Sequence, residues 1–405
     1  MREIAIQTDA LPLLPAMPPP RHRYLRLLAL LAAAVATFIV VYFTYVCPAG
    51  TCGSLPADRT LPLAPLMLTD RQGRPLPSAA ASLSFEEMLT DDFRFDLEDR
   101  DVIVFLHIQK TGGTEFGRHL VHDLQLKRPC VCHRRQKRCQ CFRPGSNSHW
   151  LFSRYSTGWK CGLHADWTEL TSCVDEAMDH MERDEKKRRY FYIALLREPV
   201  QRYLSEWKHV RRGATWSTSR HWCGGREATE NEIPSCYVGD GWDGVTLDEF
   251  LACDSNMANN RQTRMLADLH LVNCYSQAGM SSAERDRVLL ASAKTNIRQM
   301  AFFGLTEEQQ RSQYMFEEVF NLRFVTAFAA YNKTHADSAL RSLRPDQLAA
   351  VRRRNRLDLE LYEYARSLLA QRFERLRATD SSFEAHYSSL GKLGDDYSRE
   401  VDRRR

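Results

Sequence analysis

The chain has 405 residues, 43% of them hydrophobic, which is enough to bury the core of one large domain or two ordinary ones. Its 56 Lys and Arg residues barely outnumber its 51 Asp and Glu residues. This balance is too even to indicate a nucleic-acid binder, so no nucleic-acid partner is expected. The twelve cysteines are unusual for a reducing cytosol and are typical of an oxidising compartment, where they form disulfides.

Near the N-terminus, residues 27–46 form an uncharged and mostly apolar run long enough to cross a bilayer as a helix. Basic residues, among them Arg23 and Arg26, precede the run, and the next basic residue is Arg59. This asymmetry predicts a cytosolic tail over residues 1–26 and a lumenal remainder. A cleaved signal peptide is the alternative, but the run exceeds the usual apolar core of about 7–15 residues. We therefore expect a single-pass type II membrane protein with an N-terminal transmembrane helix.

The lumenal part begins with residues 47–95, which lack sustained periodicity and predict a flexible stem. The first buried strand is predicted over residues 102–108, a nearly continuous apolar run typical of a parallel sheet covered on both faces. Further strands are predicted over residues 190–196 and 301–305, and all three strands precede helical patterns. These repeats predict an α/β fold with a central parallel sheet and flanking helices.

The C-terminal third is predicted to be helical. Residues 306–309 have the composition of a capping box, which predicts the start of a helix directly after the third strand. The last long helix is predicted as one element over about residues 345–376, with an apolar stripe that indicates packing rather than partner binding. We expect residues 96–378 to form the folded domain and residues 379–405 to form a C-terminal tail.

A loop with the sequence HIQKTGGT joins the first strand to a helix over residues 107–114. Backbone N–H groups in such a loop can close on a phosphate at the helix N-terminus. Nucleotide triphosphatases place a lysine after the glycines, whereas here Lys110 and Thr111 precede Gly112 and Gly113. The pattern predicts a phosphate cradle of another kind, and a plain glycine turn is the remaining alternative.

The longer string FLHIQKTGGTEFGRHLV resembles heparan sulfate 6-O-sulfotransferases, which are Golgi type II membrane enzymes, and the loop within it is similar to the 5′-phosphosulfate-binding loop of sulfotransferases. The similarity continues through LFSRYSTGWKCGLHADWTEL, LLREPVQRYLSEWKHVRRGATW, NNRQTRMLADL and AFFGLTE, over about residues 95–375. The stem, the stretch 174–189, the loop 276–285 and the tail do not match strongly. The isoform is therefore left open.

This resemblance implies a P-loop-like sulfotransferase fold and a Golgi membrane location with a lumenal catalytic domain. The implied donor is 3′-phosphoadenosine 5′-phosphosulfate (PAPS), the implied acceptor is heparan sulfate, and the implied position of transfer is the 6-hydroxyl of glucosamine, without a metal. Two rivals stay open. One is a glycosaminoglycan sulfotransferase of different regiochemistry, such as uronyl 2-O transfer, and the other is a catalytically silent heparin-binding membrane protein.

The resemblance also implies roles for individual residues. His164 matches the catalytic base, and an imidazole suits a group that accepts an alcohol proton near neutral pH. Lys110 is expected to stabilise the charge that develops on the departing 5′-phosphate. Arg197, at a strand end, and Ser205, on the following helix, match the clamp on the 3′-phosphate, since the arginine fork suits phosphate oxygens. Asp166 is a candidate to orient His164.

Two sets of binding residues follow from the same resemblance. The donor site is expected to comprise His107, Ile108, Gln109, Lys110, Thr111, Gly112, Gly113, Thr114, Glu115, Arg197, Ser205 and Tyr331. The acceptor site is expected to comprise Lys137, Arg138, Arg154, Trp159, His209 and Trp216. Basic side chains suit the sulfates and carboxylates of the acceptor, and indole rings suit sugar faces.

Two cysteines lie on each side of a basic stretch between residues 132 and 139. Cys130 and Cys132 precede it, and Cys139 and Cys141 follow it. The spacing fits a zinc site or disulfides, and an oxidising lumen favours disulfides without a metal. Their connectivity is open.

Two further features concern modification and assembly. Asn332 begins the sequon Asn-Lys-Thr, which is a glycosylation acceptor in the lumenal topology. Cys47 and Cys52 lie beside the predicted membrane span, where they could link two chains, so a homodimer is one expectation.

Overall fold

The computed structural model describes residues 94–328 and 340–392, apart from the single positions 135, 186, 217 and 240, together with Phe85 and Leu89. The predicted membrane span, most of the stem, Tyr331, Asn332 and the last residues lie outside this part. Within it, no helix is both long and apolar enough to cross a membrane.

Eight strands and ten α-helices make up the described chain. The strands are β1 (Asp101–Leu106), β2 (Val131–Cys132), β3 (Cys139–Gln140), β4 (Leu151–Phe152), β5 (Arg189–Leu196), β6 (Trp222–Cys223), β7 (Arg226–Glu227) and β8 (Phe302–Leu305). The helices are α1 (Gly113–His122), α2 (Trp167–Glu182), α3 (Pro199–Val210), α4 (Leu247–Ala252), α5 (Arg261–Leu266), α6 (Ser282–Gln299), α7 (Gln309–Phe320), α8 (Pro345–Arg354), α9 (Arg356–Thr379) and α10 (Phe383–Ser389), with a 3₁₀ turn at Leu269–Val272.

The core is a parallel sheet of four strands in the order β4-β1-β5-β8, which confirms the predicted α/β fold. Every residue of β1 and β8 is buried, as expected for strands with helices on both faces. Strand β1 ends at Leu106, two residues before the predicted limit, because the chain turns there into the loop that begins at His107. Strand β4 has only two residues, too few for a periodic signal in the sequence.

The carboxyl ends of β1, β5 and β8 meet at one edge of the sheet, which is where open α/β sheets bind ligands. The predicted capping box after β8 is wrong. Thr306 does not cap α7; its hydroxyl donates to the main-chain oxygens of Thr111 (2.7 Å) and Leu196 (2.9 Å), while Glu308 occupies the N-cap position. Thr306 therefore ties the loop after β1 to the end of β5.

The single helix predicted over residues 345–376 is in fact two helices, α8 and α9, separated at Asn355. The N–H groups at the start of a helix have no intrahelical partner. Here the side-chain oxygen of Asn260 accepts from the N–H groups of Leu357 (3.0 Å) and Asp358 (3.3 Å). A continuous helix would bond those groups internally, so the break allows the contact with Asn260.

The folded domain extends past both predicted limits. Phe85 and Phe95, at the end of the predicted stem, are buried in the main core. At the other end, α10 follows the predicted boundary at residue 378, and its Phe383 packs edge-on against Tyr314 with ring centroids 5.1 Å apart. Apolar burial therefore continues to at least Leu390.

Ten cysteines of the described chain are paired, which confirms the prediction of disulfides. The bonds are Cys130–Cys141, Cys132–Cys139, Cys161–Cys173, Cys223–Cys274 and Cys236–Cys253. The first two lie side by side on the hairpin of β2 and β3, so the zinc alternative has no free thiolates there. The Cys223–Cys274 bond closes the longest loop of the five and joins the hairpin of β6 and β7 to the end of the 3₁₀ turn.

Loop length predicts how much each bond stabilises the fold. Cys223–Cys274 spans 51 residues and Cys132–Cys139 spans 7. Replacing both cysteines of a pair by serine should lower the free energy of unfolding by about 4 kcal/mol for the long loop and about 2 kcal/mol for the short one. Urea unfolding of the two double variants measures this. An equal loss, or a larger loss for the short loop, would contradict the chain-entropy argument.

Candidate active site

The loop after β1 forms a tight cradle ahead of α1. The chain passes through the left-handed region at Lys110 (φ 68°) and Gly112 (φ 82°) before α1 begins at Gly113. The Thr111 hydroxyl closes the loop by donating to the main-chain oxygen of Ile108 (3.0 Å). A Cβ at Gly113 would lie 2.5 Å from the His107 ring, so only glycine fits this position. The N–H groups of Gly113 and Thr114, the first two residues of α1, lie at this cradle, as in anion sites at helix N-termini.

Two cations lie at the cradle. Lys110 is half-buried, and burial lowers the pKa of its ammonium group; Glu206 opposes this effect, whereas Arg212 and Arg197 add to it. Arg197 follows β5 directly and donates from Nη1 to the Lys110 main-chain oxygen (3.4 Å) and from Nη2 to Gln201 (3.3 Å). The structure thus brings these two predicted donor residues together.

Helix α3 places further predicted residues by its periodicity. Gln201, Ser205 and His209 are spaced four residues apart and lie on one face of the helix. Gln201 contacts the Arg197 guanidinium, so this face is directed towards the cradle. Ser205 is half-buried on it. Among the other predicted donor residues, Glu115 is half-buried and bonded to Arg118, and Tyr331 lies outside the described chain.

His164 reaches the same cradle from a loop before α2. Its backbone is left-handed (φ 57°), and its Nδ1 lies 2.9 Å from the main-chain oxygen of His107. A carbonyl oxygen can only accept, so Nδ1 carries the proton of the neutral ring. Nε2 is therefore left with its lone pair, which is the state a general base needs.

Burial lowers the pKa of His164 to about 4, with the charges of Arg261 and Arg154 acting in the same direction and the His107 carbonyl opposing them. The ring is therefore neutral well below the pH at which an ordinary histidine becomes charged. Unfolding exposes a ring with a pKa of about 6.5, which binds more protons than the folded ring between pH 6.5 and 4. This residue therefore lowers the free energy of unfolding as the pH falls from 6.5 to 4.

Aromatic rings surround His164. Its ring centroid lies 4.6 Å from that of Trp159 and 5.9 Å from that of Trp216, and Trp216 lies 5.3 Å from His209. The Arg154 guanidinium lies over Trp159 at 5.6 Å. Four of the predicted acceptor residues thus form a single cluster with His164.

The two remaining predicted acceptor residues lie in the loop between β2 and β3. The Arg138 side chain lies against Gly158, where an added Cβ would come within 3.1 Å of it, and so is adjacent in the fold to Trp159. Lys137 is exposed, and no hydrogen bond or ring contact in the described chain joins it to the cluster.

Asp166 does not orient His164. It is the N-cap of α2, where it accepts from the Glu169 N–H (3.0 Å) while Glu169 accepts from the Asp166 N–H (2.8 Å). Its other oxygen accepts from the Tyr275 hydroxyl (3.2 Å). Burial raises the pKa of both carboxyl groups. The His107 carbonyl, which a sequence pattern cannot reveal, takes the orienting role.

The sequence analysis also missed a buried ion pair behind the cluster. Arg261 donates to Glu206 through Nη2 (2.6 Å) and Nε (3.0 Å), and its guanidinium lies over the Trp216 ring at 5.5 Å. Both residues stand in strings quoted above for their resemblance. Each is an isolated charged residue in a helical pattern, however, and such a pattern predicts a solvent-exposed side chain.

A lysine and an arginine at a helix N-terminus, with a histidine hydrogen-bonded to the first residue of the same loop, suit an enzyme that transfers a group from a phosphorylated nucleotide to an alcohol. A sequence profile described as the sulfotransferase family matches residues 93–365. Heparan-sulfate 6-O-sulfotransferase 3-B of Danio rerio is 51% identical over 361 residues, 86% of each chain. Heparan-sulfate 6-O-sulfotransferase 1 of Cricetulus griseus is 48% identical over 351 residues, also 86% of each chain.

A third relative, heparan-sulfate 6-O-sulfotransferase 2 of Danio rerio, is 57% identical over 287 residues; the match covers 70% of this chain and 61% of that protein. The chain therefore belongs to the heparan-sulfate 6-O-sulfotransferase family. Relatives numbered 1, 2 and 3-B all match at similar identity, so the isoform stays open.

The environment of His164 predicts its titration. In the free protein its ring should remain neutral with the proton on Nδ1 at pH 5.5, because burial lowers its pKa to about 4. His270 is the internal control, since its hydrogen bond to Asp268 raises its pKa, so it should titrate at higher pH than His164. Histidine-selective ¹⁵N spectra distinguish the two states. A proton on Nε2 of His164, or a midpoint at or above pH 6.5, would contradict the assigned geometry.

Proposed function

We propose that this protein transfers a sulfuryl group from PAPS to the 6-hydroxyl of glucosamine units in heparan sulfate. The observation that carries the proposal is the 2.9 Å contact between His164 Nδ1 and the main-chain oxygen of His107. It supports the proposal because it leaves the Nε2 lone pair of His164 available and joins this histidine to the loop proposed to bind the phosphate. The printed names of the relatives support the acceptor and the position of transfer.

Residues of this chain have complementary roles in the donor site. The N–H groups at the start of α1 bind the 5′-phosphosulfate, and Arg197 with Ser205 binds the 3′-phosphate. The donor set fits such a ligand because it offers cations and N–H groups at the cradle, and the one carboxylate among its predicted members, Glu115, is bonded to Arg118. When bound, PAPS supplies an activated sulfuryl group and leaves as adenosine 3′,5′-bisphosphate.

In the transfer itself, His164 Nε2 accepts the proton of the acceptor hydroxyl as the oxygen–sulfur bond forms. Lys110 stabilises the negative charge that appears on the 5′-phosphate as the bridging sulfur–oxygen bond breaks. No covalent intermediate on the protein is needed, because base and leaving group act on opposite sides of one displacement. Trp159 and Trp216 hold the sugar rings, and Arg154 with Arg138 and Lys137 binds the anionic groups of the chain.

The topology is a further part of the proposal. The apolar run at residues 27–46 and the basic residues before it support an anchor in the Golgi membrane with a lumenal catalytic domain. The paired cysteines of the described domain agree with an oxidising lumen. Asn332 would then be available for glycosylation, and Cys47 or Cys52 for linking two chains.

Product mapping tests the proposed reaction. The full chain, incubated with ³⁵S-labelled PAPS and desulfated heparan sulfate, should yield labelled disaccharides with sulfate on carbon 6 of glucosamine. Label on the uronyl 2-hydroxyl would favour the rival regiochemistry. A protein that binds the polysaccharide but transfers no label would favour the silent heparin-binding protein.

Replacing the base should separate chemistry from binding. His164→Ala is expected to lower turnover by about 10²–10⁴-fold, the usual contribution of a positioned acid–base group, with donor-product affinity nearly unchanged. Turnover comes from labelled transfer and affinity from calorimetry with adenosine 3′,5′-bisphosphate.

The matched control is His270→Ala, because His270 is half-buried and hydrogen-bonded but outside the site. It should leave turnover unchanged. Near wild-type transfer by a folded His164→Ala protein would remove His164 from the mechanism and make His209 the next candidate.

A further inference from the structure

Arg197 lies beyond the paired part of the sheet. The pairing of β5 with β8 ends at Leu196 and Leu305, and the Leu196 main-chain oxygen is taken by Thr306. The contacts of the guanidinium with Lys110 and Gln201 hold the end of the side chain, but no pair of β5 with β8 holds the Arg197 main chain. The side chain of Gln262 holds the Arg197 main chain instead.

The amide of Gln262 pairs with both main-chain groups of Arg197. Its Oε1 accepts from the Arg197 N–H (2.9 Å), and its Nε2 donates to the Arg197 carbonyl (2.9 Å). Gln262 is fully buried, so water does not compete for these bonds. A carboxamide donates and accepts in this fork without carrying a charge at any ordinary pH, and so imitates a neighbouring strand.

Gln262 is itself held from the other side by Asp358, near the start of α9. The Asp358 carboxylate accepts from the Gln262 N–H (3.1 Å), the Thr263 N–H (2.7 Å) and the Thr263 hydroxyl (2.8 Å). Asn260 accepts in return from the N–H groups at the beginning of α9. The three bonds to Asp358 are buried and fix the position of Gln262.

We propose that Gln262 is a positioning residue for the donor site: it holds the Arg197 main chain so that the guanidinium is aimed at the 3′-phosphate of the donor. This inference rests on the proposed function, since it takes Arg197 as the 3′-phosphate clamp. Gln262 contacts the main chain of Arg197 and acts only through it. Its loss should therefore affect recognition of the 3′-phosphate more than any other step.

The test compares two ligands that differ only in that phosphate. Calorimetry gives the affinities of the full chain for adenosine 3′,5′-bisphosphate and for AMP. Gln262→Met removes both bonds, because its side chain can neither donate nor accept in the fork. The preference for the bisphosphate should fall about tenfold, as expected for a misdirected clamp, while AMP affinity changes less than about twofold. Gln262→Glu should act in the same direction at a pH where its carboxyl is ionised, because a carboxylate oxygen then opposes the Arg197 carbonyl, whereas the protonated acid keeps the fork.

Asn256→Asp is the matched control. The buried Asn256 amide makes the same kind of pair, donating to the Phe250 carbonyl (2.9 Å) and accepting from the Ala258 N–H (3.0 Å), but it bonds neither main-chain group of Arg197. This variant should lose thermal stability, as the Gln262 variants do, and keep the wild-type ligand preference.

Three outcomes would overturn the inference. They are an unchanged preference in folded Gln262→Glu and Gln262→Met, an equal loss of affinity for both ligands, and a loss of preference in Asn256→Asp as well. A wild-type protein that binds AMP and the bisphosphate equally would instead contradict the Arg197 clamp of the proposed function, and the inference with it.

Discussion

The hydrogen bond from His164 Nδ1 to the main-chain oxygen of His107 joins two parts of the chain that are 57 residues apart in sequence. His107 begins the donor loop, and His164 stands among the aromatic rings proposed to hold the acceptor. One bond therefore ties the proposed acceptor cluster to the donor loop and selects the tautomer that leaves Nε2 unprotonated. The left-handed backbone of His164 is part of the arrangement, because such a conformation in a non-glycine residue persists only where its surroundings enforce it.

Around that bond, side-chain contacts to main-chain groups hold together the loops at the carboxyl edge of the sheet. Thr306 bonds the main-chain oxygens of Thr111 and Leu196, and Glu307 accepts from the Glu198 N–H (3.0 Å). Parallel strands stop pairing at this edge, so the loops beyond it need other partners. The result is a rigid frame for groups that must meet their substrates within a fraction of an ångström.

Sequence reasoning succeeded where the physics is local. The apolar runs of β1, β5 and β8 predicted the central sheet, because strands buried on both faces leave a continuous signal. The break at Asn355 could not be predicted, since it depends on Asn260 almost a hundred residues away. The same reason hid the roles of Thr306 and Gln262, whose partners are main-chain groups of distant residues. The His164 assignment came from resemblance, and the structure adds the neutral tautomer and the carbonyl that sets it.

The central claim of this account is that His164 Nε2 takes the proton from the acceptor hydroxyl. A crystal structure of the protein with adenosine 3′,5′-bisphosphate and a heparan oligosaccharide bearing an unsulfated glucosamine tests it directly. The account predicts the glucosamine O6 within about 3.2 Å of His164 Nε2, with Nδ1 still on the His107 carbonyl. A bound sugar whose O6 lies beside another base, or beyond the reach of His164 even through one water, would contradict it.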